Sequence, residues 1–113
     1  MTNITIAPAT GTWVVRAGGA VLAETRDALE LREDGHEPVI YFPRADIGMA
    51  FLDRSDHVTT CPHKGQASYF SIASKSTTYK NAGWSYEDPL PDVAAIKDHI
   101  AFYEQDGVNV EKI

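Results

Sequence analysis

A chain of 113 residues, 43% hydrophobic and 23% charged, is sized for one domain with one real core and does not have the composition of a disordered segment. Ten basic against sixteen acidic residues leave a formal net charge of -6, which argues against nucleic acid as the main partner, because phosphate binding needs a basic surface. A single cysteine excludes an internal disulfide and a zinc site built from several cysteines.

The opening stretch, Met1 to Pro8, has no basic segment followed by an apolar run and so does not read as a signal peptide. No window approaches the roughly 20 apolar residues of a membrane span. A cytoplasmic protein is the expectation. Residues 12–17 and 20–25 flank Gly18-Gly19, and two glycines supply the positive φ angles of a two-residue turn, so a β-hairpin is predicted. Residues 28–32 alternate Ala-Leu-Glu-Leu-Arg, as a half-buried strand does. After a turn at Gly35 to Pro38, Val39 to Phe42 is an apolar, β-favouring run stopped by Pro43. Pro43 to Ile47 reads as a loop or one helical turn, and Asp53 to Asp56 as a polar turn.

Val58 to Cys61 is a strand candidate, ended by Pro62 and turned at Gly65. Ala67 to Ala73 returns as a strand. Residues 77–87 carry Tyr79, Trp84 and Tyr86 in strand-like spacing, with Gly83 marking a bulge or kink. Pro91 suits a first helical position and Asp92 the positive end of a helix, with Val93, Ile96 and Ile100 at helical spacing. A short helix over residues 91–98 is predicted, followed by a hairpin that turns at Asp106-Gly107. The competing reading is one helix through Glu104, ending near Gly107.

Candidate chemistry concentrates between His57 and Pro91. Cys61 is the nucleophile candidate, since nearby cations lower a thiol pKa, and His57, His63 and Lys64 stand within four positions of it. The competing role for Cys61 is that of a small hydrophobe packed at a strand end. Lys64, beside Gly65, is either an anion-binding lysine at an approachable backbone or a solvated turn lysine. Arg44 would add a planar fork for a carboxylate or phosphate. Tyr41, Tyr69, Trp84 and Tyr86 each combine a ring with a polar atom and are candidates for a pocket rim, against a plain core role. Trp13, Phe42, Phe51, Phe70 and Phe102 are assigned to the core. Asp46 and Asp88 are read as caps of the segments that follow them. No His-x-x-x-His or Asp/His spacing supports a metal.

Four stretches in order carry a resemblance: Tyr41-Phe42-Pro43-Arg44-Ala45-Asp46, Cys61-Pro62-His63-Lys64-Gly65-Gln66-Ala67-Ser68-Tyr69, Trp84-Ser85-Tyr86-Glu87-Asp88-Pro89-Leu90 and Ala101-Phe102-Tyr103. Together they resemble the family called domain of unknown function 427, bacterial and fungal, also labelled nucleotidyltransferase-like. The resemblance implies a mainly β (small α+β) single domain. Its antiparallel sheets would be similar to the β-tent of methionine sulfoxide reductase B and of the cereblon ligand-binding module, with one short helix near the C-terminus. Many of those relatives hold zinc through paired Cys-x-x-Cys motifs, which this chain lacks, so neither metal nor other cofactor is expected. Nucleotidyl transfer usually places acidic residues on two divalent metals. The chain has no Asp-x-Asp pair and no glycine-rich phosphate loop beside a basic anchor.

Three functions follow, in order. The first is a small-molecule binding module, with Tyr41, Tyr69, Trp84 and Tyr86 around a small anionic or aromatic ligand and Lys64 or Arg44 as the cationic anchor. The second is an enzyme: acyl or thiol transfer by Cys61 with His57 or His63 as base and Lys64 as electrostatic stabiliser, or the nucleotidyltransferase-like activity of the family label. The third is an interaction domain whose terminal hairpin pairs with a second copy as a homodimer.

Overall fold

The computed structural model describes residues 3–113; Met1 and Thr2, which open the stretch read above for a signal peptide, lie outside the described residues. Ten strands follow in chain order: β1 (Ile4–Pro8), β2 (Trp13–Ala17), β3 (Ala20–Thr25), β4 (Leu29–Glu33), β5 (Val39–Tyr41), β6 (Leu52–Cys61), β7 (Gly65–Ala73), β8 (Thr78–Tyr86), β9 (Ala101–Phe102) and β10 (Val108–Lys112). They form three antiparallel sheets, ordered β1-β4-β5, β10-β2-β3 and β6-β7-β8-β9. The fold is mainly β. Its helical elements are short 3-10 turns at Arg44–Asp46, Met49–Phe51 and Pro91–Ile96.

The β2–β3 hairpin turns as its glycines require, with Gly18 at φ 59° and Gly19 at φ 84°. Alternation along the four-stranded sheet then decides where the core sits. Phe70 and Ile72 of β7 join Val15, Leu22, Phe42, Ile100 and Val108 in one buried cluster shared with the β10-β2-β3 sheet. Ala67 and Tyr69 of the same strand join Leu31, Tyr41, Tyr86 and Ile96 in a second cluster, shared with the β1-β4-β5 sheet. Opposite faces of one strand therefore anchor two cores, as a period of two demands.

Several expectations are corrected. The short helix expected near the C-terminus is present, as a 3-10 helix over Pro91–Ile96 broken at Val93 (φ -121°, ψ 24°); it ends two residues before the expected position 98 and does not run on through Glu104. Val93, at the break, and Ile96, three residues on, are both buried. Asp98, at φ 62°, turns the chain away and donates its backbone N–H to Tyr86 O (3.2 Å). Ile100 is buried, but in extended backbone bridged to Phe42. The turn at Asp106-Gly107 forms, with Gln105 and Val108 bonded both ways. Its arms diverge, however, β9 pairing with β8 and β10 with β2, so no terminal hairpin results.

Asp53 to Asp56 lies within β6, an edge strand exposed along most of its length; exposure on both faces removes the alternation that marks a strand. The irregularity in β8 falls around Asn81 (φ 51°) and not at Gly83. Gly83 answers a packing need, since a Cβ there would sit 3.2 Å from Ile100 and Phe102. Phe51, assigned to the core, is 56% exposed. Asp46 accepts a hydrogen bond from Thr25 Oγ1 (2.7 Å), and no side chain caps the turn after Asp88.

Candidate functional site

Strand pairing puts Tyr69 directly across from Trp84 and Tyr86 across from Ala67, whose small side chain leaves space beside the ring. Tyr41 arrives from the facing β1-β4-β5 sheet, its ring 6.4 Å from that of Trp84 and nearly perpendicular to it (81°). Tyr103, just past β9, lies against Trp84 at 4.3 Å. These five side chains and Lys64 line a cavity of about 340 Å³, with Glu33, His36 and Glu37 also on its wall. Tyr41, Tyr69 and Tyr86 are at most 7% exposed, so they form its buried wall more than its rim.

Lys64 is positioned by the β6–β7 turn. Its N–H closes the turn on Cys61 O (3.2 Å), and its carbonyl accepts from Leu90 N–H (3.0 Å). Gly65 follows at φ 110°, where a Cβ would crowd Asp88 O at 3.4 Å. The Lys64 ammonium reaches Glu33 Oε1 at 2.8 Å, with the side chains only 12% and 10% exposed. That hydrogen bond holds the Glu33 carboxyl below its ordinary pKa against the opposing effect of burial; the charges of His36 and His63 act in the same direction.

Burial keeps the Tyr41, Tyr86 and Tyr103 phenols neutral. Burial pushes the Tyr41 hydroxyl up to about 12, outweighing the Trp84 indole beside it. Tyr103 is raised to about 12 and Tyr86 further still, burial again dominating. Tyr69 OH shares a hydrogen bond with Thr59 Oγ1 (3.0 Å). Tyr86 OH has no hydrogen-bond partner among the described residues, although the residue is 6% exposed. The hydroxyl oxygen is not itself sealed from solvent, so in the hollow it is a donor and acceptor open to a ligand or water.

The remaining candidates lie around this cavity or away from it. Cys61 is half-buried and packs against the same cluster as Tyr41 and Tyr86. The His57 ring packs edge-on against Tyr69, 4.5 Å between centroids. His63 is exposed in the turn beside Lys64. Arg44 does not line the cavity. It donates to Asp98 O (2.6 Å), Ser85 Oγ (3.1 Å) and Glu87 Oε2 (2.8 Å), while Arg54 grips the same carboxylate at 2.9 and 2.6 Å. Both guanidinium groups sit near the Phe70 ring, at 5.3 and 5.0 Å, on the other core's side of the sheet. Arg44 is thus a clasp between the turn after β5, strand β8 and the loop at Asp98.

Four polar or aromatic residues of the wall were not singled out from sequence: Tyr103, Glu33, His36 and Glu37. Tyr103 stood within the motif Ala101-Phe102-Tyr103. Glu33 had a readable signal: it continues the Leu29, Leu31 face of β4, so an inward carboxylate was implied by the alternation.

Among the described residues, no group of three or more His, Cys, Asp or Glu side chains is placed to hold a metal ion. No helix among them is long and apolar enough to cross a membrane. No curated protein matches the chain. The family model for a domain of unknown function, DUF427, matches residues 5–112, covering all three sheets and every residue of the cavity. The chain belongs to the DUF427 family.

Proposed function

We propose that this protein is a small-molecule binding module whose site is the cavity between Tyr41 and Trp84. The observation that carries the reading is the convergence of Tyr41, Tyr69, Trp84 and Tyr86, from three strands of two sheets, on one hollow of about 340 Å³. Pockets of this kind combine ring surface with a few placed polar groups. Here the polar groups are the Tyr86 hydroxyl and the Lys64–Glu33 pair. A ligand would stack or edge against the rings and take up the Tyr86 hydroxyl. The compartment we propose is the cytosol, where a lone free thiol such as Cys61 stays reduced.

The test is a screen of ring-bearing fragments of both charges, read by NMR at the Trp84 indole N–H. The signal separates from that of Trp13, whose indole N–H donates to Thr10 O. Saturable hits should shift Trp84 and be lost in Trp84→Ala. Because that variant removes a packed ring, Tyr86→Phe serves as a second probe. It deletes only a hydroxyl without a protein partner, so stability should hold within about 0.5 kcal/mol while ligand affinity falls. Hits indifferent to both variants, or no hit at all, would overturn the proposal. A Cys61 enzyme would instead show thiol alkylation that is fast at neutral pH and blocked by the same ligands.

A further inference from the structure

The cavity does not stand alone. A second hollow, of about 380 Å³, shares Val39, Trp84 and Tyr103 with it. Trp13 and Phe102 supply further rings there, and among the described residues its charged groups are Glu30 and Glu104. The tilted Trp84–Tyr103 ring pair is thus a wall common to both hollows, which together make a divided aromatic cleft.

The charges of this cleft are one-sided. Glu33 and Glu37 stand in the first hollow, Glu30 and Glu104 in the second, against Lys64 and the exposed imidazole of His36. Lys64 is already committed to Glu33, in a pair about nine-tenths buried. Glu30 is met from outside by Arg32 at 2.8 Å. Glu37 and Glu104 have no ion-pair partner among the described residues. An anion entering the cleft would either take Lys64 from Glu33 or share it and bring a second negative charge beside that carboxylate, and both are unfavourable. A cation meets no such obstacle. It would face the ring edges and surfaces that Trp84 and the 45% exposed Tyr103 turn to both hollows, with Tyr41 packed edge-on behind Trp84, and a lining with more carboxylates than cations.

We infer that the ligand of this cleft is an organic cation of the alkylammonium class, held by the Trp84 and Tyr103 rings with Glu37 and Glu104 supplying the field. This rests on the reading of the cavity as a binding site and reverses the anionic preference expected from Lys64 and Arg44. Arg44 lies elsewhere, and the charge of Lys64 is already satisfied.

The test uses three probes of matched shape and different charge: tetramethylammonium, tert-butanol and pivalate. Each is titrated against the full chain with the Trp84 indole N–H and Tyr103 as NMR readouts. Tetramethylammonium should bind saturably and about tenfold more tightly than either other probe. Added salt should weaken it. Glu104→Gln and Glu37→Gln, both exposed substitutions that leave the core untouched, should each weaken it severalfold while leaving tert-butanol unchanged. Equal binding of tert-butanol, or preference for pivalate, would overturn the cation assignment and leave the binding module standing. Failure of all three probes to move Trp84 would overturn the cation assignment, and the fragment screen would then decide the module by itself.

Discussion

Breaking the Lys64–Glu33 pair from one side should destabilise the protein far more than removing it from both. The two side chains are 12% and 10% exposed and joined at 2.8 Å, so Lys64→Met leaves a largely covered carboxylate without its partner. Loss of one partner from a buried pair costs about 3 to 5 kcal/mol. The adjoining cavity admits water, which places the expected loss near the lower end, at about 3 kcal/mol. For a chain of this length that is a fall in Tm of about 12 °C. Glu33→Gln/Lys64→Met, which removes both charges and keeps the volumes, should return to within about 1 kcal/mol of the parent.

The pH dependence has a definite sign. Because the Glu33 pKa is lowered in the folded state, its contribution is fully present above the ordinary value of 4.5 and is lost as pH falls through the folded value. The cost of Lys64→Met should therefore be largest near pH 7 and shrink in strong acid, where Glu33 is protonated and no longer in need of a partner. Urea denaturation followed by circular dichroism at pH 7 and pH 3 measures both effects. A cost below about 0.5 kcal/mol, equal at the two pH values, would refute the reasoning: the pair would then be solvated and contribute no fixed wall to the cavity.

Two further outcomes follow from the clasp and from the sheet. Glu87, gripped first by Arg54 and also by Arg44, is lowered from 4.5 to about 2. That shift corresponds to about 3 kcal/mol, reduced to about 2 by solvent at a side chain 29% exposed. The contribution is whole above pH 4.5 and lost as pH falls toward 2, so Glu87→Gln should cost about 2 kcal/mol at pH 7 and almost nothing at pH 2; a pH-independent cost in chemical denaturation would contradict it. Gly83→Ala would drive a methyl to 3.2 Å from Ile100 and Phe102, both nearly inaccessible, and should cost about 1 to 3 kcal/mol by thermal denaturation; an unchanged Tm would show that β8 and β9 are loosely packed there.

What could be read from the residues divides along a physical line. Local signals were legible. Gly18-Gly19 dictated a turn through backbone freedom, and the Leu29, Leu31 alternation dictated a strand through burial on one face. Signals that depend on a partner were not. Asp106-Gly107 specifies the turn that forms, but which sheet each arm joins depends on Val15, Gly83 and Trp84, far away in the chain. The polar start of β6 hides a strand, because an edge strand exposed on both faces carries no alternation. In β1 only Ile4 and Ile6 mark the alternation, and it appears as a strand only through pairing with β4. The helical spacing of Val93, Ile96 and Ile100 reflects real burial, yet Pro91 and the turn at Asp98 confine it to 3-10 geometry.

The site shows the same division. Trp84 and Tyr86, two apart on one strand, share a face by local geometry, and Tyr69 joins them through the register of β7 with β8. Lys64 was visible as a turn lysine, but its commitment to Glu33 joins positions 31 residues apart and is a tertiary fact. Arg44 carried the same chemistry in sequence as Lys64. Its fork was instead drawn to Glu87, Ser85 and the Asp98 carbonyl, where three acceptors match three directions better than an open pocket could.

A crystal of the protein soaked with the tightest fragment from the screen would test the central claim most directly. The account predicts ligand density in the corner between Tyr41 and Trp84, within hydrogen-bond distance of the Tyr86 hydroxyl, with the Lys64–Glu33 pair intact. Density confined to the groove beside Val21 and Phe51, with the Tyr86 hydroxyl still without a partner, would contradict it.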